Sequence, residues 1–158
     1  MTVTLDRYLA IVYHSYVFVH PHNVIDYRTD SSGIRATDLT GEQVKAVIKD
    51  KIIIGHALFN DLAALSHRHV YEDVRDTALF YPLRKLTNIV HEGQYPSLRA
   101  LSKEVLGREI QTGEHSPIED ARATMDVFLA VREEYETGLA QGHDVVACVP
   151  TSMAKWYW

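Results

Sequence analysis

The sequence predicts a domain of the α/β class, and three stretches of the chain indicate it. Residues 52–54 are consecutive isoleucines, as expected of a strand covered on both faces, and a turn and a helix follow them. Residues 3–5 and 11–13 are rich in β-forming side chains and have the pattern of a hairpin. Residues 115–131 combine helix-start signals with apolar positions at helical spacing. Corners between a strand and a helix are the expected place for functional groups in such a fold.

The overall composition limits the classes of protein to which the chain can belong. Its 158 residues are enough for one domain with a core. A net charge of −5 gives no broad positive field, which argues against a protein that coats nucleic acid. It does not exclude an enzyme that takes a strand end into a narrow, cation-charged cleft. The single cysteine excludes an internal disulfide, and neither a membrane span nor a signal peptide is expected.

The first elements follow from turn and capping signals. The hairpin turns at residues 6 and 7, continues through residues 16–19 and leads into a long loop over residues 24–39. A capping box at residues 40–43 starts a helix with an apolar side. The strand at residues 52–54 comes next.

The helix after this strand is predicted from about Asn60 to Ser66. Asn60 or Asp61 would cap its start, and Leu62 and Leu65 would face inward.

The second half of the chain is predicted to hold two longer helices. A short strand is expected at residues 74–77 and a loop over residues 80–95. Ser97 caps a helix that Gly107 ends, and its inward residues are Leu98, Leu101, Val105 and Leu106. Ser116, Pro117 and Glu119 then give the start signals of the central helix, which runs to about Tyr135. Its predicted buried face consists of Ile118, Ala121, Met125 and Phe128.

The start of the central helix carries candidate chemistry. His115 lies just before the helix and Asp120 in its first turn. A carboxylate can hold a hard cation through oxygen, and a histidine titrating near neutral pH can take a proton from water. The plainer interpretation of this segment is a capped surface helix beside an unrelated histidine.

Two of these segments, taken together, resemble the second and third motifs of the DEDDh 3′–5′ exonucleases, in the branch of RNA exonuclease 4 and the interferon-stimulated exonucleases. The first is Gly-His-Ala-Leu-Phe-Asn-Asp-Leu at residues 55–62, and the second is His-Ser-Pro-Ile-Glu-Asp-Ala-Arg-Ala-Thr-Met at residues 115–125. Shorter matches follow the same order at residues 26–29, 32–35, 74–77 and 96–99. The resemblance covers roughly residues 3–137, and joint matches on this scale are rarely chance.

The resemblance implies a ribonuclease H-like exonuclease fold, with a mixed sheet flanked by helices. It implies hydrolysis at the 3′ end of single-stranded RNA, or of single-stranded DNA, with two Mg²⁺ or Mn²⁺ ions and release of nucleoside 5′-monophosphates. Asp120 and Asp61 would be catalytic metal ligands, and His115 would deprotonate the attacking water. It also implies RNA processing, including that of rRNA, in the nucleus or nucleolus.

Other residues at matching positions would contact the substrate. They are His56, Asn60, Arg28 and Arg35. The two arginines have an alternative interpretation as solvated or paired loop residues. Asp76 matches a family position that is usually structural, so it is not counted as a ligand.

Four acidic ligands define the family, and two of them come from a first motif, Asp-x-Glu, on its first strand. The present sequence starts at the family's second strand, and that motif is not found. Asp6 is the nearest acid, and no glutamate stands two residues after it. Asp61 and Asp120 alone are too few anionic ligands for two hard cations. We therefore expect little or no activity from this chain. A non-catalytic module that binds RNA ends or a protein, and an α/β domain without a nucleic-acid role, are the alternatives.

The prediction divides the chain into an exonuclease-like domain at residues 1–137 and a linker with a tail at residues 138–158. The linker is expected at residues 138–142. The apolar run at residues 145–149 could fill the central place left by the missing first strand, with Asp144 as a substitute acid. The alternative is an edge strand or a loose surface tail.

Overall fold

The computed structural model describes residues 2–5, 11–15, 44–89, 91, 93–113, 115–143 and 145–157, the first two stretches by their backbone alone. The predicted loop at 24–39, with Arg28 and Arg35, lies outside these residues, as do the predicted hairpin extension at 16–19 and the capping box at 40–43. Within the described stretches, no helix has the length and apolar character needed to cross a bilayer.

The strands form two pairs. Strand β1 (Thr2–Leu5) runs antiparallel to β2 (Ile11–Ser15), which confirms the predicted hairpin. Strand β3 (Ile53–Gly55) runs parallel to β4 (Val74–Asp76). In the part of the chain that the structure describes, no backbone hydrogen bond joins one pair to the other. In this part of the chain, antiparallel and parallel pairing thus occur in separate strand pairs, and a single mixed sheet stays a prediction.

The strand predicted at residues 52–54 is confirmed in its approximate position, but the prediction that both of its faces are covered is wrong. Ile52 precedes β3 and is 56% exposed, and Ile53 and Ile54 are only half-buried. Strand β3 has one ladder partner among the described residues, so it is not enclosed like the middle strand of a wide sheet.

The α-helices of the described residues are α1 (Val44–Ile48), α2 (Leu58–Leu65), α3 (Tyr81–Leu86), α4 (Leu98–Leu106) and α5 (Pro117–Ala140). Short 3₁₀ turns occur at Tyr71–Asp73 and Ala154–Trp156. Helix α5 packs against α4 and contacts both β1 and β3, so it connects the two strand pairs.

Local signals place the starts of the two longer helices correctly. The Ser97 hydroxyl caps α4 by accepting a hydrogen bond from the amide of Ala100 at 3.1 Å. Gly107 ends α4 in the left-handed conformation, with φ at 63°. The Ser116 hydroxyl accepts a hydrogen bond from the amide of Glu119 at 3.4 Å and caps α5. These predictions are confirmed because each signal lies within the turn that it starts or ends.

Helix α3 occupies part of the stretch at residues 80–95 that was predicted as a loop. Phe80 and Leu83 are fully buried at its start, and the amide of Tyr81 donates to the carbonyl of Val145 at 3.0 Å. The prediction is wrong because distant packing, rather than a local cap, holds this helix.

Helix α5 differs from its prediction in its buried face and in its end. Of the four residues predicted to be buried, only Phe128 is fully covered. The buried residues are Ala123, Thr124, Val127, Phe128, Tyr135 and Gly138. The helix continues to residue 140, so the linker predicted at residues 138–142 is wrong in its first half. A side chain at Gly138 would collide with Val145, which explains a glycine inside this helix.

Among the described residues, the core consists of two main clusters. One surrounds α2 and β4 and contains Phe59, Leu62, Val74, Leu79, Ala147 and Tyr157. The other lies between α3, α4 and α5 and contains Phe80, Leu83, Leu101, Val127, Phe128 and Tyr135. Burial of each large apolar side chain contributes roughly 1.5–3 kcal/mol. The clusters fix α2 and α5, the helices that carry the candidate site.

The C-terminal segment packs onto the domain. The amide of Ala147 donates to the carbonyl of Leu79 at 2.8 Å, and Tyr157 belongs to the core. The hypothesis that residues 145–149 fill a central place in the sheet is therefore wrong. Their described backbone pairing is with residues 79–81, not with β1 or β3.

Arg75 joins β4 to α5 through a mostly buried ion pair. Its Nε and Nη2 atoms donate to the carboxylate of Glu136 at 2.7 and 3.0 Å. Its Nη1 atom donates to the carbonyl of Glu72 at 2.6 Å, and its guanidinium lies 5.9 Å from the ring centre of Tyr135. The Arg75 side chain is 8% exposed and the Glu136 side chain 39%. Removal of the carboxylate would therefore leave a buried cation poorly compensated.

We expect Glu136→Gln to lower the free energy of unfolding by about 1–3 kcal/mol, because Arg75 loses its charged acceptor. The lower part of this range is expected because water screens the partly exposed carboxylate. Urea denaturation measures the change. Glu133→Gln, at an exposed position of the same helix, is the control. Equal losses from the two substitutions would contradict the interpretation.

Candidate active site

The corner between β3 and α2 is held by a buried carboxylate from β4. Ala57, just before α2, has a left-handed backbone with φ at 57° and no capping side chain of its own. Asp76 is 1% exposed. Its carboxylate accepts hydrogen bonds from the amides of Ala57 at 2.9 Å, Leu58 at 2.8 Å and Ala78 at 2.9 Å. Asp76 thus satisfies amides at the start of α2 that have no partner within the helix.

This geometry corrects the prediction that Asn60 or Asp61 caps α2. The acceptor is instead the carboxylate of Asp76, which lies 19 residues after Ala57 and 18 residues after Leu58 in the sequence. The corner is tight, since a Cβ atom at Gly55 would collide with the side chain of Leu58. Burial raises the pKa of Asp76 to about 6, although the three amide donors favour its ionised form.

His56 connects the same corner to the start of α4. Its Nδ1 atom lies 3.0 Å from the hydroxyl of Thr77, and its Nε2 atom lies 2.9 Å from the carbonyl of Pro96. Burial lowers the pKa of His56 to about 4, so the ring is neutral at pH 7. In that state Nε2–H donates to the carbonyl of Pro96, and Nδ1 is an acceptor facing the Thr77 hydroxyl, whose single hydrogen is also within reach of the carbonyl of Gly55 at 3.0 Å. The role of His56 in substrate binding stays a prediction, and both of its ring nitrogens already have partners within the protein.

Asn60 and Asp61 lie in the first turn of α2, and both side chains are exposed. Surrounding protein raises the pKa of the Asp61 carboxyl to about 6, largely through desolvation. Because the side chain keeps contact with water, solvent screens this effect. Proximity to Asp61 also adds to the raised pKa of Asp76, which places the two carboxyl groups in one region.

The start of α5 brings His115 and Asp120 together. Burial raises the pKa of Asp120, while the nearby His115 and a hydrogen bond from Gln111 oppose this rise. The Gln111 side-chain amide donates to Oδ1 of Asp120 at 2.9 Å, and its backbone amide donates to Glu119 at 3.2 Å. Gln111 has a left-handed backbone, with φ at 58°. Asp120 is therefore held in place, with its second oxygen in no hydrogen bond to the described residues.

The described interactions link His115 and Gln111 with Asp120, and Asp61 with Asp76. The convergence of Asp61 and Asp120 on one site stays a prediction. Across the described ranges, no group of three or more His, Cys, Asp or Glu side chains is arranged to hold a metal ion. The carboxylates are of the type that Mg²⁺ prefers, but the described set is too small for a two-ion centre.

Sequence analysis missed one polar residue of this region, Gln111, and gave Asp76 a structural role without identifying its partners. Gln111 was missed because it lies in a loop. Its left-handed backbone conformation marks it as a special position, and sequence does not show that conformation. Asp76 was assigned a structural role, but its action as the cap of α2 depends on the parallel pairing of β3 and β4. Neither contact has a signature in local spacing.

The chain is similar to curated RNA exonucleases. RNA exonuclease 4 from Mycosarcoma maydis is 46% identical over 130 residues, which are 75% of this chain and 34% of the relative. Human RNA exonuclease 4 is 38% identical over 84% of this chain and 32% of the relative. The interferon-stimulated 20 kDa exonuclease-like 2 protein from Bos taurus is 36% identical over 83% of this chain and 40% of the relative. The chain therefore spans roughly a third of the length of these relatives. No protein-family model matches it.

Solved structures with a similar fold are Pan2 exonuclease modules. The Saccharomyces cerevisiae Pan2 pseudoubiquitin hydrolase–RNA exonuclease module in complex with A7 RNA has a TM-score of 0.60 and 27% identity, over 87% of this chain and 26% of that chain. The Neurospora crassa Pan2 catalytic unit has a TM-score of 0.51 and 25% identity, over 75% of this chain and 20% of that chain. The predicted ribonuclease H-like α/β fold is confirmed.

The lowered pKa of His56 predicts a pH dependence of stability. Between about pH 4 and pH 6.5, the unfolded chain binds a proton at His56 that the folded chain does not. The contribution of His56 to the free energy of unfolding is then complete above pH 6.5 and is lost as the pH falls toward 4. Urea denaturation of wild type and His56→Gln across this range isolates the effect, because the contributions of Asp61 and Asp76 largely cancel in the difference. A difference that stays constant with pH would contradict the prediction.

Proposed function

Since this chain is a relative of the RNA exonuclease 4 and interferon-stimulated exonuclease branch, we propose that it acts at the 3′ end of single-stranded RNA. The reaction would be hydrolysis of the terminal phosphodiester, in which water attacks phosphorus and the bond to the preceding 3′ oxygen breaks. The products would be a nucleoside 5′-monophosphate and an RNA one nucleotide shorter. Nucleotides of single-stranded DNA are a second possible substrate. The placement of His115 just before α5 and of Asp120 in its first turn, where Gln111 holds it, carries this proposal.

Each side chain at the start of α5 has a role in the proposal. His115 would take the proton of the attacking water, and Asp120 would be a cation ligand held by Gln111. The positive end of the helix dipole at the start of α5 also favours the phosphate group. Asn60 and Asp61, exposed on α2, would contact the terminal nucleotide and a second cation.

The proposed cofactor is Mg²⁺ or Mn²⁺, which would stabilise negative charge on the phosphoryl oxygens. Asp61 and Asp120 supply two acidic ligands where the branch uses four, so we propose that turnover by this chain alone is weak or absent. Binding of an RNA end without hydrolysis is then the second candidate function. The small ligand set of the described residues favours it.

We also propose a role in RNA processing in the nucleus or nucleolus, on the basis of sequence similarity to the RNA exonucleases alone. Fluorescence microscopy of the tagged chain tests the location, and exclusion from the nucleus would contradict it.

A nuclease assay tests the enzymatic part of the proposal. We expect slow, Mn²⁺-dependent release of 5′-monophosphates from single-stranded RNA, and Asp120→Ala to reduce it by about 100-fold or more. Glu133→Ala removes the same charge from an exposed position of the same helix and should leave the rate unchanged. Turnover that survives Asp120→Ala would show that the assigned site is wrong.

An RNA-binding assay separates the two candidate functions. If the chain binds single-stranded RNA with a free 3′ hydroxyl but releases no nucleotide with Mg²⁺ or Mn²⁺, it is a binding module. Fluorescence anisotropy with a labelled oligonucleotide measures the dissociation constant, and an oligonucleotide with a 3′ phosphate is the matched control. Equal affinity for the two ends would argue against recognition of the 3′ terminus.

A further inference from the structure

We infer that Asp76 is a positioning residue, which fixes the first turn of α2 and so orients Asn60 and Asp61 toward the RNA end. The inference rests on the proposed function for its RNA partner. Its structural part rests on the contacts of Asp76 alone.

The corner before α2 needs an external acceptor. Ala57 has φ at 57°, a left-handed conformation that is sterically unfavourable for a residue with a Cβ atom. No side chain within the turn caps the helix. The Asp76 carboxylate supplies the missing acceptors, with Oδ1 bonded to the amide of Ala57 and Oδ2 to that of Leu58. The strained turn and the carboxylate therefore depend on each other.

The position of Asp76 is itself fixed. Its Oδ1 atom also accepts from the amide of Ala78, and its own amide lies 3.3 Å from the hydroxyl of Tyr135 on α5. The neighbouring Thr77 donates its amide to the carbonyl of Gly55 at 2.9 Å. A carboxylate held from both sides can transmit the position of β4 to the start of α2.

The path from Asp76 to the exposed site is short. Asn60 and Asp61 follow Leu58 by two and three residues on a rigid helix. Phe59 and Leu62 of the same turns are buried in the core and fix the rotation of the helix. With its rotation set by packing and its start set by Asp76, α2 presents Asn60 and Asp61 in one orientation.

The decisive substitution is Asp76→Asn, which keeps the shape of the side chain. An amide group can accept through only one of its two ends, so the nitrogen would face an N–H donor. Ala57→Gly offers a rescue, since glycine adopts the left-handed conformation without a steric cost. Ser102→Ala is the control, because Ser102 is buried in α4 and its hydroxyl, among the described residues, bonds only to the carbonyl of Arg108.

The experiment measures amide exchange by NMR, stability by urea and RNA affinity by anisotropy for each variant. We expect Asp76→Asn to speed exchange of the Ala57 and Leu58 amides and to weaken RNA binding by about tenfold. Adding Ala57→Gly should restore most of the affinity. Ser102→Ala should lower stability and leave RNA affinity unchanged.

The outcomes separate the two claims. If the wild-type chain does not bind RNA, the proposed function fails. In that case amide exchange still tests the structural part, and unchanged exchange at Ala57 and Leu58 in Asp76→Asn would overturn the positioning role as well. If the wild type binds RNA and Asp76→Asn binds equally well, or Ser102→Ala weakens binding as much, the inference is wrong while the proposed function stands. Should Asp76→Asn alone not fold, the double variant with Ala57→Gly takes its place in the same comparison.

Discussion

The carboxylate of Asp76 accepts three backbone hydrogen bonds, and the arrangement of the candidate site depends on it. A buried carboxylate loses the hydration that stabilises its charge, and only donors in the protein can replace it. Here the donors are amides of the β3–α2 corner and of the segment after β4, which are brought together by parallel pairing. The charge is thus stabilised only when the corner is correctly folded, and the corner is held only when the charge is present.

The two parts of helix α5 have different roles: most of its length packs in the core, and its first turn carries candidate site residues. From Ala123 to Gly138 it buries one face in the core and, through Glu136, holds the guanidinium of Arg75. Its first turn is instead only partly buried and carries Asp120, with His115 just before the helix. This division explains why the buried face starts later than apolar spacing indicates, because the first turn is committed to polar contacts with Gln111.

The parts of the fold and site that sequence could predict are those whose cause is local. Ser97, Gly107 and Ser116 mark helix ends within one turn, and His115 and Asp120 are only five residues apart. Helix α3 was missed because its support comes from the returning chain near Val145.

The relation between α2 and α5 could not be predicted in this way, because its causes are not local in the sequence. Spacing along the chain does not say whether Asp61 lies near Asp120, because the two residues are on different helices. The cap of α2 was assigned to the wrong residues for a related reason, because its acceptor arrives from another strand. Sequence thus indicated candidate residues for the chemistry, whereas the contacts that support them depend on tertiary structure.

The contact between Gly138 and Val145 has a consequence for how this chain can vary. The segment that carries Ala147 and Tyr157 into the core passes the helix at a point where only a hydrogen atom fits. A lineage that acquires alanine at position 138 would have to acquire a smaller residue at position 145 as well. The two positions should therefore change together during divergence, although six residues and a helix end lie between them.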